Sequence, residues 1–282
     1  MGQGIARSLA QAGIDVIIKE LNDKNVQSAL KQISKGLDQE IAKWGITKSE
    51  KAAMLSRIKG TSKYEELKNV DFVIESIVED FEAKSKVFKE LDKALPPEVT
   101  IVSNTSALSI TELAACTQRP ERVAGLHFVN PVPKRLVAEV VRGLHTSNET
   151  VAQVKELARS LGKTPVEVFE YPGYITTRII LPLLNEAMHV VMEGVASAED
   201  VDTAMQLGYD LPVGPLEMAD QMGLEEVESQ METLFRELGD LKFRPCPLLR
   251  KMVRAGHWGV KSRRGFFRYD ENGNKVEQQK RL

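Results

Sequence analysis

Two residues in the stretch GLHFVNPVPKRLVAEVVRG, at 125–143, have the types and spacing for acid–base chemistry. His127 sits near the carboxyl end of a run of Val, Ala, Leu and Phe that reads as a buried strand. Glu139 follows twelve positions later in a second strand-like run, LVAEVVR. The proline-rich connection Asn130-Pro131-Val132-Pro133 can bring the two side chains together. A histidine oriented by a carboxylate is a general base whose protonated form is stabilised. Oxidation of an alcohol needs such a base, because the hydroxyl proton must leave as hydride leaves the carbon. A lone histidine beside a strand is more often a core or turn residue, so the surroundings decide. At the end of a neighbouring strand, SNTSAL supplies Ser103, Asn104, Thr105 and Ser106. These groups suit a substrate oxygen or a cofactor ribose, and equally suit the cap of the helix that follows.

Placing those residues requires a layered α/β fold. Strand patterns at 71–79, 98–106, 122–130, 136–142 and 164–170 alternate with helical ones, including one at about 150–161. The alternation predicts a mostly parallel, doubly wound sheet, whose ligands bind at the carboxyl ends of its strands. The opening MGQGIARSLAQAGIDVIIKE reads as a helix ended by Gly13, then a strand closed by Glu20. That is the second half of a dinucleotide-binding unit. Only the last glycine of a G-x-G-x-x-G turn fits at its start, at Gly2. The expected fold is therefore Rossmann-like without its first strand and without most of the glycine loop.

Between these elements lies a helical hairpin. Val26, Leu30, Ile33, Leu37, Ile41 and Trp44 recur at helical steps, and Thr47 with Glu50 forms a capping-box signature for a second helix through Met54, Leu55 and Ile58. Past Tyr171-Pro172-Gly173 the pattern becomes helical throughout. One long apolar helix ends at Gly194, a second starts at Ser197 and stops at Gly208, and no strand is expected. The predicted domains are 1–170, Rossmann-like, and 171–282, all-helical.

Composition narrows the function classes. The chain has 282 residues, of which 42% are hydrophobic and 28% charged, as in soluble two-domain proteins. A net charge of −2 gives no general attraction to nucleic acid or anionic membrane, and neither is an expected partner. No apolar run approaches the ~20 residues that span a bilayer. Cys116 and Cys246 lie far apart with no C-x-x-C, which suits a reducing, cytoplasmic setting; organelle targeting stays open. No metal site is expected.

SNTSALSIT, GLHFVNPVP, YPGYITTRIILPLLNEA, ASAEDVDTAMQLG, GPLEMAD and RRGFFRY occur in this order. Together they make the chain resemble the L-3-hydroxyacyl-CoA dehydrogenases, the 3-hydroxybutyryl-CoA type included, over essentially its whole length. The resemblance implies NAD-dependent oxidation of (S)-3-hydroxyacyl-CoA to 3-oxoacyl-CoA and a homodimer formed by the helical domain. It implies His127 as base, Glu139 as its carboxylate partner and Ser106 at the substrate's 3-oxygen. Gly2, Glu20, Glu79, Lys84, Ser106, Asn130 and Lys261 match cofactor-binding positions, and Lys43, Ser106 and Thr177 match substrate-binding ones. Glu20 stands where an aspartate is usual, and an acid there favours NAD over NADP by repelling a 2′-phosphate. Thr177 replaces the family's asparagine, and KRLVAE departs from its usual run after the proline loop, which leaves acyl preference open. Two other readings remain: a non-catalytic remnant, and a sister dehydrogenase acting on a free hydroxy acid.

Overall fold

The computed structural model of the chain describes residues 1–42 and 45–276. Lys43, matched to a CoA contact, and Trp44, read as the end of a helical face, lie outside the described residues. The fold divides into two compact units, Met1–Tyr174 and Ile175–Leu282.

In the first unit, helix α1 (Gly2–Gln11) leads into strand β1 (Val16–Lys19). The hairpin of α2 (Asp23–Ala42) and α3 (Lys48–Ser56) then returns the chain to β2 (Ile58–Thr61), which pairs parallel with β1. Thr47 caps α3 through the expected reciprocal box with Glu50. Strand β2 corrects the sequence reading, which carried the helix through Ile58. Its four residues, IKGT, are too few to show a two-residue period. Gly60 is needed there because a Cβ would lie 2.3 Å from Val26 Cγ1 on α2.

The rest of the unit runs β3 (Phe72–Glu75), α4 (Phe81–Ala94), β4 (Thr100–Ser103), α5 (Ile110–Ala114), β5 (Val123–Phe128), β6 (Val137–Arg142), α6 (Asn148–Ser160) and β7 (Thr164–Phe169). These five strands form one sheet in the order β3-β4-β5-β6-β7. All neighbours are parallel except β5 and β6. The connection 129–136 is too short for the dozen or more residues a parallel crossover requires, so β6 turns back antiparallel to β5.

Both faces of this sheet are covered, because successive strand residues point to opposite sides. Ile101, Val123 and Val141 pack with Phe88 and Leu91 of α4 and Ile110 and Leu113 of α5. Their neighbours Val102, Ala124 and Val140 pack with Ile5 of α1 and Val151, Val154 and Ala158 of α6. Each fully buried Leu, Val or Phe contributes about 1.5–3 kcal/mol relative to an exposed one, which is what holds the strand ends in place.

The second unit is built from α7 (Thr176–Met192), α8 (Ala198–Tyr209), α9 (Pro215–Met222), α10 (Leu224–Leu238) and α11 (Pro247–Arg254). Ser197 caps α8 as its sequence predicts. The helix runs past Gly208 and ends at Asp210, whose φ of 53° supplies the left-handed turn that glycine was expected to make. A small hairpin, β8 (Arg268–Tyr269) with β9 (Lys275–Val276), corrects the all-helical expectation. Two residues per strand leave no pattern to read.

Asp220 of α9 organises this unit. Its carboxylate accepts hydrogen bonds from Phe266 N at 3.0 Å, Phe267 N at 2.9 Å and the Tyr269 hydroxyl at 2.9 Å. Gly265 is confined to glycine because a Cβ would sit 1.9 Å from Asp220 Oδ1. Burial pushes the Asp220 carboxyl up to about 6, and Asp202 adds like-charge repulsion. Because the folded-state value lies above the ordinary 3.8, the folded chain holds this proton more tightly than the unfolded chain does. The contribution to stability is therefore full below about pH 4 and declines as pH rises through about 6. The unfolding free energy of the wild-type chain relative to Asp220→Asn should fall by about 2–3 kcal/mol from pH 4 to 7 in urea titrations. A difference that stays constant across that range would mean that Asp220 does not titrate there.

Candidate active site

The register of β5 on β6 sets His127 directly opposite Glu139. Opposed residues share a face, so the imidazole and the carboxylate meet. His127 Nδ1 lies 2.6 Å from Glu139 Oε2, and both residues are buried. A carboxylate only accepts, so Nδ1 is the donor in this pair, and in the neutral ring Nε2 keeps its lone pair. Tyr174 closes another side of the imidazole, with ring centroids 5.7 Å apart and planes at 56°. Its hydroxyl donates to Leu108 O at 3.2 Å. Burial, then Glu79, Glu170 and Glu139, hold the Tyr174 phenol well above its ordinary value, so it stays a donor.

The loop after β4 carries Ser106 and is fixed by side chains rather than by a ladder. Glu79 Oε1 accepts from Ser106 N at 2.9 Å, from Ala107 N at 3.3 Å and from the Thr105 hydroxyl. The Ser106 hydroxyl stands 3.4 Å from the same oxygen. Ser109 caps α5, and Glu170 at the end of β7 accepts from both the Ser109 and Thr111 hydroxyls. Asn104 accepts from Phe128 N at 2.9 Å, which ties this loop to the strand that bears His127.

The remaining predicted residues divide by place. Lys84 is buried, with its ammonium 2.8 Å from Glu75 and 3.4 Å from Glu79. Asn130 is exposed, two residues past β5. Glu20 follows β1 directly, and its N–H donates to Thr61 O of β2. Gly2 opens α1 beside Ser76, just past the carboxyl end of β3. In the second unit, Thr177 is buried in the first turn of α7, and Lys261 pairs with Glu225 and lies over the Trp258 ring. Glu75 and Tyr174 carry no site assignment from the sequence. The signal for Glu75 was an acid closing the apolar run FVIE.

This arrangement fits a dinucleotide. A helix N-terminus beside the carboxyl ends of parallel strands attracts a pyrophosphate, and an acid at the end of the next strand suits ribose hydroxyls. Among the described residues no group of three or more His, Cys, Asp or Glu side chains could hold a metal ion. No helix among them is long and apolar enough to cross a membrane.

A doubly wound sheet with a buried His–carboxylate pair at its strand ends defines a nicotinamide-dependent dehydrogenase class. The family model described as 3-hydroxyacyl-CoA dehydrogenase, NAD binding domain, matches residues 1–171, and that described as 3-hydroxyacyl-CoA dehydrogenase, C-terminal domain, matches 173–269. The chain belongs to the 3-hydroxyacyl-CoA dehydrogenase family. It is 47% identical to a probable 3-hydroxybutyryl-CoA dehydrogenase of Bacillus subtilis over 271 residues, covering 96% of this chain and 94% of the relative. It is 42% identical to a 3-hydroxybutyryl-CoA dehydrogenase of Clostridioides difficile, covering 96% of each chain. The crystal structure of the (S)-3-hydroxybutyryl-CoA dehydrogenase of Ralstonia eutropha superposes with a TM-score of 0.87 at 43% identity, covering 96% of each chain.

Proposed function

We propose that this protein oxidises the 3-hydroxyl of short (S)-3-hydroxyacyl-CoA thioesters, 3-hydroxybutyryl-CoA foremost, to the 3-oxo thioesters. NAD, when bound, accepts the hydride released from C3. The observation that carries the reading is the buried 2.6 Å pair of His127 Nδ1 and Glu139 Oε2. With Nδ1–H donated to Glu139, Nε2 takes the hydroxyl proton, and the carboxylate stabilises the imidazolium that forms. Ser106 holds the substrate oxygen, with its backbone fixed by Glu79. Gly2, Glu20 and Asn130 hold the cofactor, with Glu79 and Lys84 supporting its site.

The test compares 3-hydroxybutyryl-CoA with free 3-hydroxybutyrate, each with NAD and with NADP. Reduced cofactor should form with the thioester and NAD. The acid at Glu20 should leave NADP a much poorer oxidant. Equal turnover of the free hydroxy acid would move the protein to a sister activity.

A homodimer formed by the second unit belongs to the same reading. Ile179 on α7 and Leu207 and Tyr209 on α8 are large side chains left open to solvent. Contiguous apolar surface marks association sites, and these three side chains are candidates for it in this unit. Sedimentation of the whole chain at micromolar concentration should give a dimer, and a monomer there would remove the assignment. The two free cysteines suit a cytoplasmic setting.

A further inference from the structure

Glu75 closes β3, with its side chain 1% exposed, and accepts four hydrogen bonds from three donors. Lys84 Nζ approaches at 2.8 and 3.1 Å, the Ser103 hydroxyl donates at 2.6 Å, and Ile77 N donates at 2.6 Å. Its backbone carbonyl accepts Asn104 N at 2.8 Å. The same ammonium reaches Glu79 Oε2 at 3.4 Å, and the other oxygen of Glu79 holds the backbone of Ser106. One buried cation is thus shared between a carboxylate in the core and a carboxylate that grips the serine loop.

We infer that Glu75 is a positioning residue for the reaction, fixing Lys84 and through it Glu79 and the loop that carries Ser106. The inference rests on Ser106 as the residue holding the substrate oxygen. A lysine locked by Glu75 offers Glu79 a charge at one place only, so Glu79 has one orientation in which its second oxygen meets the N–H groups of Ser106 and Ala107. Once the ammonium is unfixed or absent, Glu79 no longer has that single orientation. The loop donors then lose their acceptor. Removing one partner of a buried pair also destabilises the fold, whereas removing both charges together is far less costly.

The experiment compares Glu75→Gln, the pair Glu75→Gln with Lys84→Met, Ser106→Ala, and Glu75→Gln in the Ser106→Ala background. Amide hydrogen exchange at Ser106 and Ala107 should speed up at least tenfold in Glu75→Gln and in the charge-free pair, even where the pair recovers its melting temperature. Turnover of 3-hydroxybutyryl-CoA should fall at least tenfold in both. In the Ser106→Ala background the Glu75 substitution should cost less than twofold more. Recovery of both turnover and loop protection in the charge-free pair would reduce Glu75 to a stability residue and overturn the inference, as would independent multiplication of the two effects. Normal turnover in Ser106→Ala would instead remove Ser106 from the substrate site, and loop exchange would still decide whether Glu75 fixes the loop.

Discussion

Replacing His127 by glutamine is expected to lower turnover of 3-hydroxybutyryl-CoA by about 10²–10⁴, the range for a positioned acid–base group. The side chain is buried, and its Nδ1 is committed to Glu139, so only Nε2 is available to accept a proton. Glutamine fills comparable space and can hydrogen-bond Glu139, but its amide does not take up a proton at neutral pH. The loss should therefore fall on kcat. NAD affinity should survive, because His127 is not among the residues assigned to the dinucleotide. Steady-state kinetics and calorimetric NAD titration of the variant separate the two. Turnover near the wild-type value would take His127 out of the proton transfer.

The parts of this site that could be read in the sequence are those that the strand period determines. His127 and Glu139 sit inside apolar runs, where an alternating pattern makes a polar residue conspicuous, and the antiparallel return of β6 follows from a connection too short to cross over. The strands were read too long at their carboxyl ends for a physical reason. At 76–79 and 104–106 the backbone leaves the ladder, and Ser106 N finds its partner in a side chain, that of Glu79. No local pattern announces such a bond, since its partners lie 27 positions apart. Strands β2 and β8 escaped notice because two to four residues cannot display a period. Lys84 illustrates the opposite limit. Its spacing puts it on α4, yet nothing local shows that the ammonium is buried; that depends on Glu75, which reaches it from the sheet.

Glu139→Gln should reduce turnover by roughly 10–10³ without weakening the fold. A charge-assisted hydrogen bond is worth about 1.5–3 kcal/mol and a neutral one about 1 kcal/mol, so the substitution forfeits ~1–2 kcal/mol when His127 is protonated. The loss is larger in a site this dry, because two charges at contact interact more strongly as the effective dielectric falls. Every 1.4 kcal/mol is about a tenfold change in rate. Glutamine also brings an NH₂ group, and an amide turned so that it donates to Nδ1 would force the proton onto Nε2, the atom that has to accept one. Stability should hold level, since the amide keeps the shape of the carboxylate and can still hydrogen-bond His127 Nδ1. Melting temperature, kcat and the KM values for NAD and for the thioester, measured on one preparation, keep these effects apart. A variant with unchanged melting temperature and turnover within twofold of wild type would show that the carboxylate orients nothing the reaction depends on, and the buried pair would then be structural.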